Sequence, residues 1–350
     1  MSQAYFLIPG LLLPHEAQSV ITPSSLAAAS TLTAAVKGDF TRQTLVSGPL
    51  ACSVHLAWTW RVLTRRPLPF SSAPFAWLID DGPDLTSEIW SLHVFHREPD
   101  GRVVAADLSE ETVEAVCQTL RRPLSERGFT LQRWDKIFYL TRQTGWGVMT
   151  PEWPVIRAAR AQADDVAPLP EADEVIAQEA RTDLHDLTNL LRRADIRDVQ
   201  GRQLTELAIT GGGCQQRFNP PTKIRSVLAD DATIRSWAQE SGILNHRTGR
   251  VDHAEQWPED APAGDLIAVL DFLYEPWLKN DWTEWMNRLP AVVSSFQALA
   301  PAARRKQCDT AVLVACGVTD TVTVATATST GGLLARLRQK AVPASQWIFE

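Results

Sequence analysis

Over its second half the chain alternates short apolar runs with amphipathic stretches: "LTELAIT", "DDATIRSWAQESGI", "DLIAVLDF", "NDWTEWMNRLPAVVSSFQALA" and "DTAVLVACG". Apolar runs of this length suit strands buried on both faces, and the segments between them have the length and period of helices. A chain that repeats strand and helix in this way must stack helices on a sheet, so the expected class is α/β with a layered core. "DTVTVATAT" follows the last run across a short turn and is expected to pair with it as a hairpin. Near the start, "AYFLIPG" reads as another buried strand, closed by a Pro-Gly turn. "TPSSLAAASTLTAAV" is expected to be a helix entered at Thr22 or Ser24, and "LACSVHLAWTWRVL" a second helix.

From about 75 to 145 the pattern changes to "FAWLI", "IWSLHVFH", "VVAADL", "FTLQRW" and "KIFYLT", with one helix between them. That helix is expected to start at Ser109, whose hydroxyl can cap free amides while Glu110 and Glu111 suit the positive end of the dipole. The expected organisation is a core of residues 1–70 and 181–350, an inserted α+β subdomain over 71–160, and an acidic, proline-containing linker over 161–180. "RTDLHDLTNLLRRADI" then forms an amphipathic helix with Leu184, Leu187, Leu190 and Leu191 on one side.

A chain of 350 residues can bury a large core. Its net charge of −7 disfavours a broad grip on a phosphate backbone, so nucleic acid is not an expected partner. Five cysteines, an odd number without CxxC spacing, together with an N-terminus lacking a leader pattern, point to the reducing cytoplasm. No apolar run reaches the roughly 18 residues of a membrane span, so no membrane is expected either. The 13 tryptophans, dispersed and set against 3 tyrosines, read as rigid core filler.

The strand "LTELAIT" runs directly into Gly211, Gly212 and Gly213. Three glycines allow either a neighbouring element or an anionic ligand to approach the backbone closely. The spacing is neither GxxxxGK[ST] nor GxGxxG, and Asn219-Pro220-Pro221 follows in place of a helix. His93 and His96, three apart on a strand, point to opposite faces and do not share a metal. His246, Asp252 and His253 lie in one loop segment and are the alternative metal set. Cys214 is read as a small buried residue and not a reactive thiol. Ser53 and His55 suggest a nucleophile beside a base, but residues two apart on a helix diverge, and the pair is discounted.

The stretch "RRADIRDVQGRQLTELAITGGG", residues 192–213, with Arg197, Gly201 and the three glycines, resembles the archaeal-type cofactor-independent phosphoglycerate mutases of the alkaline phosphatase superfamily. "SVLADDATIRSWAQESGI" and "DLIAVLDFLYEPWLKNDWTEWMNRL" resemble the elements that follow in that family. The order of elements is similar, above all, to bacterial phosphoglycerate mutase-like proteins, some regulatory, that are degenerate relatives of those enzymes. The resemblance implies an alkaline-phosphatase-like sheet with helices on both faces. It also implies two divalent cations, manganese or zinc, held by carboxylates and histidines, and a serine that carries phosphate.

This chain departs from that pattern. Ile209 and Thr210 stand where aromatic residues are usual, and the first strand ends in Pro9-Gly10 where the family has an aspartate. Glu275 falls near a ligand aspartate and Lys279 near a ligand histidine, and a protonated lysine has no lone pair to offer a metal. The segment around Ser53 does not match the serine motif. The expected function is therefore that of a non-catalytic phosphoglycerate mutase-like protein without cofactor, with regulation among the roles open to it. It would bind a small molecule or protein partner through Gly211, Gly212, Gly213, Asp271, Glu275 and Lys279. The alternative is a metal-dependent phosphoglycerate mutase or phosphatase with manganese or zinc on relocated ligands: Asp80, Asp81, His246, Asp252 and His253. A third reading is an interaction protein whose exposed tryptophans form a contact surface.

Overall fold

The computed structural model describes residues 2–36, 38–68, 87–212, 223–246, 263–305, 308–325 and 342–350. These fall into two compact units, one built from residues 2–46, 52–67 and those from 223 on, the other from 47–51, 68 and 87–212. The larger unit opens with β1 (Gln3–Pro9), α1 (Pro23–Val36), β2 (Asp39–Thr44) and α2 (Val54–Thr64). The smaller unit follows: β3 (Glu88–Arg97), β4 (Val103–Ala105), α3 (Glu110–Glu126), β5 (Thr130–Trp134), β6 (Ile137–Arg142), β7 (Val148–Met149), α4 (Trp153–Arg157), β8 (Ala167–Pro168), α5 (Glu174–Arg193) and β9 (Glu206–Gly211). The chain then returns to the larger unit with β10 (Ile224–Leu228), α6 (Ala232–Glu240), β11 (Leu244–His246), β12 (Asp265–Val269) and α7 (Tyr274–Leu278). It continues with α8 (Trp282–Arg305), β13 (Thr310–Cys316) and β14 (Asp320–Ala325).

The larger sheet has the order β11-β10-β12-β1-β13-β14-β2. The first five strands run parallel, β14 pairs antiparallel with β13 as the expected hairpin, and β2 closes the sheet antiparallel to β14. Strand β1 is central, and Phe6, Leu7 and Ile8 are fully buried. Consecutive residues of a strand point to opposite faces. Phe6 meets Phe296 of α8 edge-on at 4.8 Å, while its neighbour Tyr5 meets Trp58 of α2 at 5.4 Å. Helices α8 and α2 therefore cover opposite faces. Helix α1 packs beside α8, and α6 lies beside α2 through the Trp60–Trp237 ring pair at 5.1 Å. The expected layered α/β class, with helices on both faces of the sheet, is what this unit has.

In the smaller unit β3 pairs with β4, β6 and β9, and β6 pairs with β5. One face is covered by α3 and α5, whose Val113, Leu120, Leu184, Leu187 and Leu191 pack on Trp90, Leu92, Leu140 and Ile209. On the other face α4 brings Trp153 flat against His93 and sets Ile156 beside Phe95 and Ala208. Helix α3 starts at Ser109 as expected, with the serine hydroxyl accepting from the Thr112 amide at 3.0 Å.

The chain divides differently from the sequence expectation. Strand β9 pairs with β3, so the glycine-ended strand and α5 belong to the smaller unit and not to the core of 1–70 and 181–350. Residues 161–180 hold β8 and the first turns of α5, entered at Asp173, whose carboxylate accepts from the Val175 amide at 3.1 Å. Acidic residues there serve as a helix entry, which composition alone does not distinguish from a linker. "FAWLI", expected as a strand, lies outside the described residues.

At the end of β9 the close neighbour is an indole. Gly211 stands opposite Trp90 in the ladder, and a Cβ on Gly212, at φ 103°, would sit 2.4 Å from the Trp90 ring. Trp90 is itself fixed, since its Nε1 donates to the buried Glu88 carboxylate at 3.1 Å. The ring cannot step aside, so Gly212→Ala combines overpacking with a left-handed backbone. It is expected to cost roughly 2–4 kcal/mol in urea unfolding of the full chain. A loss below about 0.5 kcal/mol, within the range of ordinary surface changes, would contradict this packing account.

Candidate functional site

Parallel sheets present ligands at the carboxyl ends of their strands. In the larger unit that edge is formed by the ends of β1, β10, β12 and β13, and each end is occupied differently.

The end of β1 is closed by tryptophan. Gly10 turns at φ 75°, and a Cβ there would lie 2.8 Å from Cβ of Trp277. Trp285 Nε1 donates to the Gly10 carbonyl at 2.8 Å, and Trp277 Nε1 donates to the Leu12 carbonyl at 2.7 Å. Both indoles are fully buried, and each satisfies a backbone carbonyl that would otherwise be stranded. At the end of β13 the Glu350 carboxylate accepts from the Val318 amide at 2.7 Å.

The ends of β10 and β12 carry acids. Asp231 caps α6, accepting from the Ile234 amide at 2.9 Å, and Asp271 follows directly on β12. Burial, and then Asp231 and Asp230, push the Asp271 carboxyl up to about 6. Burial also raises Asp231, against the amides of Ile234 and Thr233 that favour its charged form. Like charges crowded in a dry place cannot all ionise at low cost.

Beside this edge α2 begins. Cys52, just ahead of it, adopts φ 70°, a left-handed conformation that costs a residue with a side chain about 1–2 kcal/mol. Its peptide groups are pinned on both sides: the Cys52 amide donates to the Val318 carbonyl at 2.7 Å, and the Tyr274 hydroxyl donates to the Cys52 carbonyl at 3.1 Å. Ser53 then occupies the position before the first helical residue but makes no capping bond. Its hydroxyl is fully buried and has no hydrogen-bond partner, and the Nδ1 of His55 is in the same state. The amides of Val54 and His55, in the first turn, have no intrahelical acceptor. The His55 ring stands edge-on to Tyr274 at 4.7 Å, and burial pushes its pKa down to about 3, which keeps it neutral. The start of α2 thus carries a neutral histidine, an unpartnered serine hydroxyl and two first-turn amides, uncharged polar groups of the kind that suit an oxyanion.

Of the residues singled out in the sequence, Asp271 stands at this edge. Glu275 and Lys279 lie on and just after α7 and pair with each other at 2.7 Å, both about half exposed, with Arg288 4.0 Å from Glu275. His246 ends β11, its carbonyl accepting from the Ala229 amide at 2.9 Å. Gly211 and Gly212 belong to the other unit. Gly213, Cys214, Asp80, Asp81, Asp252 and His253 lie outside the described residues. In the smaller unit His93 stacks on Trp153 and meets the Thr210 hydroxyl at 3.1 Å, whereas His96 pairs with Glu98. Ser53, which sequence spacing set aside, is the residue that the fold brings to the edge.

At two positions where the sequence resemblance implies ligands to divalent cations, the described residues are otherwise engaged. Gly10 and the indole of Trp277 stand at the end of β1, and Glu275 is engaged by Lys279. Among the described residues no three histidine, cysteine or acidic side chains converge as ligands for one ion.

No protein-family model matches the sequence, and no curated protein matches it. Solved structures do. The cofactor-independent phosphoglycerate mutase from Thermoplasma acidophilum is similar at 13% identity and a TM-score of 0.41, over 94% of this chain and 91% of that one. The PH0037 protein from Pyrococcus horikoshii is similar at 13% identity and a TM-score of 0.47, over 98% of this chain and 90% of that one. At these scores the likeness is one of distant overall shape and carries nothing about chemistry. Among the described residues no helix is long and apolar enough to cross a membrane.

The buried imidazole has a consequence in acid. His55 stays neutral in the folded chain down to about pH 3 and takes a proton near pH 6.5 when unfolded. The unfolded state thus binds more protons across that window, and the His55 contribution to stability is lost as pH falls from 6.5 toward 3. Asp271 works in the opposite sense between 3.8 and about 6, where the folded state holds the extra proton. His55→Phe keeps an aromatic ring beside Tyr274 and removes the titration. Urea midpoints between pH 4 and 6.5 should show a pH slope reduced by up to about 1.4 kcal/mol per pH unit. An unchanged slope would contradict the buried, neutral imidazole.

Proposed function

We propose that the chain is a non-catalytic, phosphoglycerate mutase-like protein that binds a small molecule through an oxyanion group at the carboxyl edge of its larger sheet. The reading rests on one observation: the Ser53 hydroxyl is fully buried without a partner at the uncapped start of α2. A stranded hydroxyl of this kind costs about 1–3 kcal/mol, and a phosphate or carboxylate oxygen accepting from it and from the first-turn amides removes that cost. The closed end of β1 and the Glu275–Lys279 pair support binding over metal-assisted turnover. Asp271, at the same carboxyl edge, is a largely protonated acid below about pH 6. The four described cysteines are free and buried, which suits a cytoplasmic setting. Regulation of a partner protein through ligand occupancy is consistent with this role. The described tryptophans favour a core role over a contact surface, with Trp90, Trp237, Trp277, Trp285 and Trp347 fully buried.

A second reading, metal-dependent phosphotransfer as a mutase or phosphatase, draws on the crowding of Asp230, Asp231 and Asp271. A manganese or zinc ion would relieve that repulsion.

Calorimetric titration with inorganic phosphate and with phosphoglycerate separates the readings. The binding reading expects saturable, metal-independent binding of phosphate, weakened at least tenfold, about 1.4 kcal/mol, by Ser53→Ala. No binding, or binding indifferent to that substitution, would count against it. Manganese-dependent turnover of phosphoglycerate abolished by Asp271→Asn would establish the second reading in its place.

A further inference from the structure

We infer that Glu350 is a positioning residue for the start of α2. It acts through the turn at Gly317–Thr319, which ties the last described segment to the left-handed Cys52.

Residues 347–350 are held firmly. The amide of Leu13 donates to the Ile348 carbonyl at 2.7 Å, and the Glu350 amide donates to the Leu13 carbonyl at 2.9 Å. Arg42 donates to the carbonyls of Trp347 and Phe349 at 3.0 and 2.6 Å, while Trp347 and Ile348 are fully buried. This anchoring delivers the Glu350 side chain to the end of β13. There Gly317 is required, because a Cβ at that position would fall 1.7 Å from Glu350 Oε1. The carboxylate accepts from the Val318 amide at 2.7 Å, while burial, the largest influence on it, raises its pKa above the usual carboxylate range.

Val318 links the carboxylate to the start of α2: its amide donates to Glu350 and its carbonyl accepts the Cys52 amide, each at 2.7 Å. A carboxylate that fixes the Val318 amide fixes the placement of that residue's carbonyl, which then holds Cys52. Cys52 needs such a hold, since φ 70° is not a conformation that cysteine adopts by itself. The direction in which Cys52 leaves its turn sets where the Ser53 hydroxyl lies relative to the first-turn amides. Glu350 therefore reaches the oxyanion hollow through two hydrogen bonds without touching it. The inference rests on the reading of that hollow as a binding site only for its consequence for affinity, and not for the coupling itself.

Amide hydrogen exchange of the full chain tests it. Glu350→Ala should raise the exchange rate of the Cys52 amide about tenfold or more while leaving the β13 amides, such as that of Val314, unchanged. Glu350→Gln retains an acceptor oxygen for the Val318 amide and should restore exchange to the wild-type rate. Gly317→Ala, which evicts the carboxylate from the opposite side, should behave like Glu350→Ala and serves if that variant fails to fold. Unchanged Cys52 exchange in whichever of these variants folds, or a Gln variant as fast as the Ala variant, would overturn the inference. Titration with inorganic phosphate, run in parallel, keeps the two claims apart. Faster Cys52 exchange with no phosphate binding even in the wild type refutes the oxyanion reading and leaves the coupling standing. Normal phosphate affinity and normal Cys52 exchange in Glu350→Ala refutes the coupling alone.

Discussion

The turn at Gly10 is the constraint from which the larger unit's functional edge follows. β1 is the middle strand of the seven-stranded sheet, and the chain must leave it without a side chain because Trp277 occupies the space a Cβ would need. Two buried indoles then donate to the carbonyls of Gly10 and Leu12. This arrangement satisfies backbone that no strand partner can reach, and it fixes α7 and the start of α8 against the sheet. With β1 closed by indoles and the end of β13 engaged by Glu350, the Ser53 hydroxyl and His55 Nδ1 at the start of α2 are among the described buried polar groups without partners.

Helices α2 and α6 lie side by side and both begin at this edge, so their positive dipole ends converge there. The fold treats the two differently. α6 is capped by Asp231, a carboxylate with its own hydrogen bonds, and pays for it in repulsion with Asp271. α2 has a serine in the capping position that does not cap. A hydroxyl that is buried, uncommitted and flanked by first-turn amides is a conformational choice forced from outside, by Val318 and Tyr274 holding Cys52 in the left-handed region. The hollow at α2 is thus assembled by elements remote in sequence, which is how preorganised binding sites retain strain.

Much of the framework was legible in the sequence because it depends on local signals. The buried strands "AYFLIP", "DLIAV" and "TAVLVAC" read directly from their apolar runs, the β13–β14 hairpin from its short turn, and the entry of α3 from Ser109 with two acids behind it. Asp271 was legible as a residue at a strand end. The glycine run left a neighbouring element and a ligand both open, and nothing in the sequence named the Trp90 indole as what lies against Gly212. What remained hidden depends on long-range pairing. Nothing in "LTELAIT" specifies that it will lie against β3, so its unit could not be assigned from order along the chain. Ser53 was set aside on helical spacing, a sound argument for two residues inside a helix. Ser53 stands just outside one, and its orientation is set by Cys52, whose backbone conformation no sequence pattern announces.

The most direct measurement is a crystal structure of the chain grown with tungstate, whose heavy atom marks an oxyanion without ambiguity. The account predicts an anomalous peak at the start of α2, with a tungstate oxygen about 3 Å from the Ser53 hydroxyl and the amides of Val54 and His55. A chain that leaves this position empty while tungstate binds at surface arginines would contradict it.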